Sequence, residues 1–268
     1  MTSYIPKKYV FFRPLGFKHG DMVNPTYSIN VFLKHFNKIG FLPNKFNILE
    51  LGPGDSISTA IIGHAFGASE IFLVDVADYA SKSIEIYHNL IHKLKMCNIE
   101  KNVSSLLDAK TFNKILEITN SHYDVKGLHS LKEIPSDTID FIFSNAVLEH
   151  VHLQNFRSVL SELYRISSKG CIMSHTIDLK DHLNDSLNSL LFNKKIWEIK
   201  IFKRFGFYTN RLRFKEICNY IREAGFKIIH IDVKEWNALP IKTKHLNREF
   251  KNREDLQVYG FDIMCKKL

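Results

Sequence analysis

The sequence predicts an α/β chain: a doubly wound, mostly parallel, seven-stranded sheet with helices on both faces. Three observations predict it. Apolar runs of strand length alternate with stretches of helical spacing from residue 46 to residue 265. The first run, Phe46-Asn-Ile-Leu-Glu-Leu-Gly-Pro-Gly-Asp-Ser56, opens into a glycine turn. About one βα unit later, Ile71-Phe-Leu-Val-Asp75 ends on an acid. Such alternation implies parallel strands joined by crossover helices, with ligands bound beyond the carboxyl ends of the strands.

The elements follow in order. Residues 1–40 read as an irregular, aromatic-rich N-terminal arm in which Pro6, Pro14 and Pro25 block long helices. Within it, residues 28–39 have helical character and lead to Gly40. Residues 46–51 form the first strand and 58–66 its helix; 70–74 form the second strand and 80–96 the next helix. Residues 98–136 show weak periodicity, with a third strand near 121–125. The pattern recovers at 138–144, a buried strand, and at 153–166, where Phe156, Val159, Leu160 and Leu163 recur at helical spacing. Residues 170–174 read as the fifth strand. Thr209 or Asn210 is expected to cap a helix that runs to Glu223 and stops at Gly225. Residues 226–233 and 259–265 close the chain as strands. The alternation breaks at 177–208, an insertion holding Asp178, Asp181, His182, Asn184, Asn188, Trp197 and Phe207. Long insertions of this kind are often lids or substrate-binding elements.

Composition narrows the class. A 45 % hydrophobic share in 268 residues supports a packed core, read as one domain spanning 1–268. No apolar run approaches the about 18 residues of a membrane span. Lys7, Lys8, Arg13 and Lys18 interrupt Tyr9-Val-Phe-Phe12, which removes a signal-peptide core. Cys97, Cys171, Cys218 and Cys265 are scattered and read as reduced thiols, so a cytoplasmic location is expected. A net charge of +9 suits an anionic partner such as nucleic acid, an acidic membrane surface or a phosphorylated small molecule. It equally suits a lysine-rich proteome. No RNA-binding signature accompanies the charge, so nucleic acid is not expected as a partner.

The glycine turn carries the chemistry. Glycines let the backbone approach a ligand, and an acid at the end of the next strand suits the two hydroxyls of a ribose. A dinucleotide fingerprint wants a third glycine, yet Ile57 stands there, and Glu50 and Asp55 put negative charge where a pyrophosphate would sit. The segment resembles motif I of the class I S-adenosylmethionine (SAM) dependent methyltransferases, Asp/Glu-x-Gly-x-Gly-x-Gly, with Ser56 replacing the last glycine. A positive sulfonium and an ammonium suit the two acids. The resemblance implies the Rossmann-like methyltransferase fold over about residues 40–265. In it, Glu50, Gly52 and Gly54 shape the methionine end, Asp75 binds ribose, Asp124 reaches the adenine amine, and Asn145 passes beside the methionine.

Asp140-Phe-Ile-Phe-Ser-Asn-Ala-Val-Leu-Glu-His150-Val resembles the fourth-strand motif of methyltransferases whose next helix opens with Leu-Glu-His. Ser174-His-Thr-Ile-Asp-Leu-Lys-Asp-His182 and Phe207-Tyr-Thr-Asn-Arg-Leu-Arg213 look like a branch associated with surface-polysaccharide biosynthesis. This implies O-methylation of a sugar or a phosphate-bearing glycan or capsule precursor, with an anionic sugar or sugar nucleotide as the small-molecule acceptor. A phosphoryl or phosphoramidate oxygen, a small lipid- or quinone-like acceptor, and a non-catalytic SAM-binding module are the alternatives. A hydroxyl acceptor needs a base, and histidine titrates near neutrality; His182, His175 and His150 are the candidates in that order, each also readable as a structural hydrogen bond. Asp178, Asp181, Tyr208, Asn210 and Arg211 are candidate acceptor contacts, with Arg213 beside them, or else a capped, solvated helix start. The cluster His175, Asp178, Asp181 and His182 also admits Mg²⁺ or Mn²⁺; helix capping and sugar binding explain it as well, and no residue is assigned as a metal ligand.

Overall fold

The computed structural model describes residues 20–40, 42–99, 103–181, 184–200 and 208–268. His182, Phe207 and the first nineteen residues of the expected arm lie outside them. The strands are β1 (Asn47–Leu51), β2 (Glu70–Val74), β3 (Ser121–Asp124), β4 (Ile139–Asn145), β5 (Ser167–Asp178), β6 (Lys227–Glu235) and β7 (Val258–Lys266). They form one seven-stranded sheet in the order β3-β2-β1-β4-β5-β7-β6. β1 pairs in parallel with β2 and β4, and β2 with β3, whereas β6 and β7 are antiparallel. The fold class read from the sequence is the one observed. Among the described residues no helix is long and apolar enough to cross a membrane.

The chain divides into two compact units. One runs through Asn145 and adds Glu162–Ser174; the other contains Ala146–Ser161 and His175–Lys266. In the first unit, α1 (Pro25–Phe36) starts three residues earlier than its spacing suggests. Asn24 accepts the N–H groups of Thr26 and Tyr27 at 3.0 and 3.3 Å, and Pro25 occupies the first turn. Proline there loses no intrahelical bond, so it opens the helix rather than blocking it.

Helices α2 (Ser58–Ala65) and α3 (Ile84–Met96) follow β1 and β2. A Cβ on Gly63 would come within 2.9 Å of Ile71 Cδ1 and 3.0 Å of Ile48 Cδ1, so this glycine sets how closely α2 lies on β1 and β2. The core here combines Phe32, Ile48, Ile57, Ile61, Ile71, Tyr87, Phe141 and Phe143, all fully buried. The weakly periodic stretch contains α4 (Phe112–Ile118) and α5 (Leu128–Glu133), helices too short to establish a period.

In the second unit, α6 (Phe156–Ile166) spans into the first, α7 (Lys194–Trp197) is one turn, and α8 covers Phe214–Glu223. The cap of α8 is Arg213, whose N–H donates to Glu216 at 3.0 Å. Thr209 and Asn210 instead belong to a buried, non-helical approach to it. A small cluster of Leu187, Leu190, Leu246, Phe250 and Leu256 anchors the insertion in this unit.

Candidate functional site

The first unit gathers Glu50, Gly52, Gly54 and Asp75 at the carboxyl ends of β1 and β2. Gly52 and Gly54 have φ of +74° and +68°. This left-handed region costs an ordinary residue about 1–2 kcal/mol, which is why glycine stands at both positions. Ser56 is absent from the positive-φ residues, so the third motif position has no need of glycine in this chain. Its hydroxyl accepts the Ser58 N–H at 3.1 Å and lies 2.6 Å from the Ser58 hydroxyl, at the start of α2.

Asp75 closes the turn: its Oδ2 accepts the Gly54 N–H at 3.0 Å and its Oδ1 the Val76 N–H at 2.7 Å. Burial nevertheless pushes its carboxyl up to about 6, against those backbone donors. Glu50 is buried and its Oε2 has no hydrogen-bond partner among the described residues. Burial raises its carboxyl to about 8; Thr59 opposes the shift and the Asp75 charge adds to it. A buried acid with an open oxygen next to a second acid favours a cationic ligand, whose charge would offset the desolvation of the carboxylates. The ammonium and sulfonium of SAM fit that demand, and the glycine turn gives the backbone close access.

The next strand ends lie beside this turn. The Asp75 N–H donates to the Asp124 carbonyl at 2.9 Å, placing the end of β3 next to that of β2. Asn145 Nδ2 donates to the Tyr27 hydroxyl at 3.3 Å. Tyr27 was not legible as a site residue, because 118 positions separate it from Asn145. The segment before it is tied to the turn as well: the Val23 N–H donates to Asp55 at 3.2 Å, and the Ser58 hydroxyl to the Met22 carbonyl at 2.9 Å.

The second unit holds the remaining candidates. His150 lies in a short turn (Leu148–His150), and its Nδ1 is 2.7 Å from the Tyr208 carbonyl. A carbonyl only accepts, so Nδ1 carries the proton. His175 is fully buried on β5, and burial pulls its pKa down to about 3. Asn210 clips the His150 turn: its Nδ2 donates to the Leu148 and Val151 carbonyls at 2.8 and 3.0 Å, and its N–H to the Glu149 carbonyl at 2.7 Å. Glu149 itself is buried, and its Oε1 accepts the Asp178 N–H at 3.1 Å. Burial, and then the Asp178 charge, raise its carboxyl to about 8. An acid within the apolar run Ala146-Val-Leu-Glu-His-Val was the available signal for it.

Asp178 is the more accessible acid, with its side chain 36 % exposed, and it lies 3.6 Å from Lys180 Nζ. Asp181 is buried and accepts the Ser189 N–H at 2.7 Å. The Tyr208 hydroxyl donates to Glu198 at 3.0 Å. Arg211 donates to the Phe192 carbonyl at 2.7 Å and lies over the rings of Trp197 and Phe250. Arg213 is buried and donates to the carbonyls of Leu179, Leu256 and Val258. Among the described residues no group of three or more His, Cys, Asp or Glu side chains is placed to hold a metal ion.

Comparison with known proteins agrees with this chemistry. The Methyltransferase domain family matches residues 29–231. No curated protein matches the chain. Among solved structures, geranyl diphosphate C-methyltransferase from Streptomyces coelicolor A3(2), in complex with Mg²⁺, geranyl diphosphate and S-adenosyl-L-homocysteine, is similar at 10 % identity over 91 % of this chain and 80 % of its own, with a TM-score of 0.52. A SAM dependent methyltransferase from Archaeoglobus fulgidus is 14 % identical over 98 % of this chain and 100 % of its own, with a TM-score of 0.49. At such identity the first likeness shows the fold. The family match covers most of the chain, and the glycine turn with its two acids meets the needs of the cofactor: the chain belongs to the Methyltransferase domain family and is a class I SAM-dependent methyltransferase.

Proposed function

We propose that the protein acts in the cytoplasm as an O-methyltransferase on a sugar or phosphate-bearing precursor of a surface glycan or capsule. The observation that carries this reading is the pair of segments Ser174–His182 and Phe207–Arg213, which resemble glycan methyltransferases. The net charge of +9 supports an anionic acceptor.

SAM, when bound, supplies a methyl group on a sulfonium centre. Glu50 balances the positive methionine end, Asp75 takes the ribose hydroxyls, Asp124 the adenine amine, and Asn145 the methionine side. Transfer to a hydroxyl requires that its proton be removed and that it be held in line with the methyl. His182 is the proposed base. His150 ranks next, with its Nδ1 against the Tyr208 carbonyl. His175 ranks last, because burial gives it little affinity for a proton. Asp178 and Tyr208 are proposed on the acceptor side, with Asp181, Asn210 and Arg211 holding the backbone that presents them.

The test is formation of S-adenosylhomocysteine from SAM with a panel of nucleotide sugars, sugar phosphates, short lipids and quinols, the product located by mass spectrometry. A methylated sugar or phosphate ester, lost in His182→Ala at unchanged SAM affinity, is expected. Turnover confined to lipids or quinols would overturn the acceptor class.

A further inference from the structure

The methionine end of SAM carries a positive sulfonium, a positive ammonium and a negative carboxylate. Glu50 suits the positive groups and repels the carboxylate. An anion beside buried acids is costly unless hydrogen-bond donors meet it. The two glycines of the turn are already engaged: the Gly52 N–H donates to the Val74 carbonyl at 2.8 Å and the Gly54 N–H to Asp75 Oδ2 at 3.0 Å. Ionised Glu50 and Asp75 accept and do not donate. The carboxylate therefore calls on a donor beyond these residues.

Tyr27 stands where such a donor is needed. It lies in the first turn of α1, and the chain just before it is tied to the glycine turn. The Val23 N–H donates to Asp55 at 3.2 Å, and the Ser58 hydroxyl to the carbonyl of the buried Met22 at 2.9 Å. At its tip, the Tyr27 hydroxyl accepts Asn145 Nδ2 at 3.3 Å. Asn145 ends β4, whose Phe143 pairs with Glu50 of β1. In the sheet order β2-β1-β4, this is the flank of Glu50 opposite to Asp75. The hydroxyl accepts in the bond with Asn145, so its own proton remains to be donated. Ser28, Ile29, Val31 and Phe32 of the same helix are buried, whereas Tyr27 is 36 % exposed. Packing of α1 thus leaves this side chain open to a ligand.

From this placement we infer that the Tyr27 hydroxyl donates to the carboxylate of the methionine part of SAM, with the Asn145 amide orienting it. The inference rests on the reading that sets the methionine between Glu50 and Asn145 and the ribose at Asp75. A tyrosine that only fastened α1 to β4 would affect every ligand of the pocket alike. A donor to the carboxylate affects only ligands that possess one.

The test is calorimetric titration of the whole chain with S-adenosylhomocysteine and with S-adenosyl-3-thiopropylamine. The second ligand keeps the adenosine, the sulfur and the ammonium and lacks only the carboxylate. Tyr27→Phe keeps the ring and removes the hydroxyl, and circular dichroism checks that it folds. It should weaken S-adenosylhomocysteine about tenfold, as for one hydrogen bond to a charged group, and leave the thiopropylamine within about twofold of wild type. Asp75→Asn tests the underlying placement: both ligands carry the ribose, so it should weaken both. If Asp75→Asn weakens both while Tyr27→Phe weakens neither, or both alike, the role of Tyr27 is overturned and the placement stands. If Asp75→Asn spares either ligand, the placement itself fails, and the inference with it.

Discussion

Replacing Glu50 with glutamine should flatten the dependence of stability on pH. Glu50 is 2 % exposed, and its carboxyl rises from the ordinary 4.5 to about 8, chiefly through burial. An acid whose pKa is higher folded than unfolded binds a proton on folding. Its contribution is complete below pH 4.5, falls as pH rises through the interval, and levels off above about pH 8. At ~1.4 kcal/mol per pH unit, the loss between pH 5 and pH 8 is about 4 kcal/mol. For a chain of this size that corresponds to roughly 8–16 °C in Tm. Glutamine keeps the volume and does not ionise, so the variant should lack this component and be the more stable protein at pH 8 without ligand. Asp75 and Glu149 titrate upward as well and are present in both proteins, so the difference between the two curves reports Glu50 together with its coupling to the Asp75 charge. Thermal unfolding followed by circular dichroism at pH 5, 6.5 and 8 measures it. Parallel curves for the wild type and Glu50→Gln would show that the buried carboxyl is ionised in the folded protein, and the electrostatic account of the pocket would fail.

Asp75→Asn removes the charge and one of the acceptors holding the Gly54 and Val76 N–H groups; calorimetric titration should show S-adenosylhomocysteine binding weakened ~10- to 100-fold, about 1.5–3 kcal/mol for hydrogen bonds to a charged group. His175, whose pKa is lowered to about 3 by burial, favours folding fully above pH 6.5 and loses that contribution as pH falls toward 3. Its imidazole resonances should therefore stay at neutral-form shifts from pH 8 to pH 5 in NMR of histidine-labelled protein, and a midpoint near 6.5 would contradict its burial. Arg213→Met leaves the carbonyls of Leu179, Leu256 and Val258 without their donor; urea unfolding should register a loss of about 3–5 kcal/mol, and a loss below ~1 kcal/mol would mean that water takes over those carbonyls.

The sequence by itself determined the elements whose causes are local. An apolar run, a glycine turn and an acid at the next strand end lie within thirty residues of one another, and β1, β2 and the start of α2 fall where those residues put them. The glycine turn was legible for the same reason: the backbone conformation at Gly52 and Gly54 is a property of a short segment. Within residues 98–136 the third strand was placed, at 121–125 against the observed Ser121–Asp124, but α4 and α5 were not, because they are seven and six residues long, less than two helical turns.

Only the tertiary structure decided what the polar residues beyond β5 do. Asn210, Arg211 and Arg213 form one polar run in the sequence, but their partners are the Leu148 and Val151 carbonyls, the Phe192 carbonyl and the Leu179 and Val258 carbonyls. A buried carbonyl must find a donor wherever the fold supplies one, and nothing in a linear pattern names that donor. The same holds for Tyr27 beside Asn145, and for the pKa of Glu50. A carboxyl group in a sequence has an ordinary acidity; burial, which the whole fold creates, moves it to about 8.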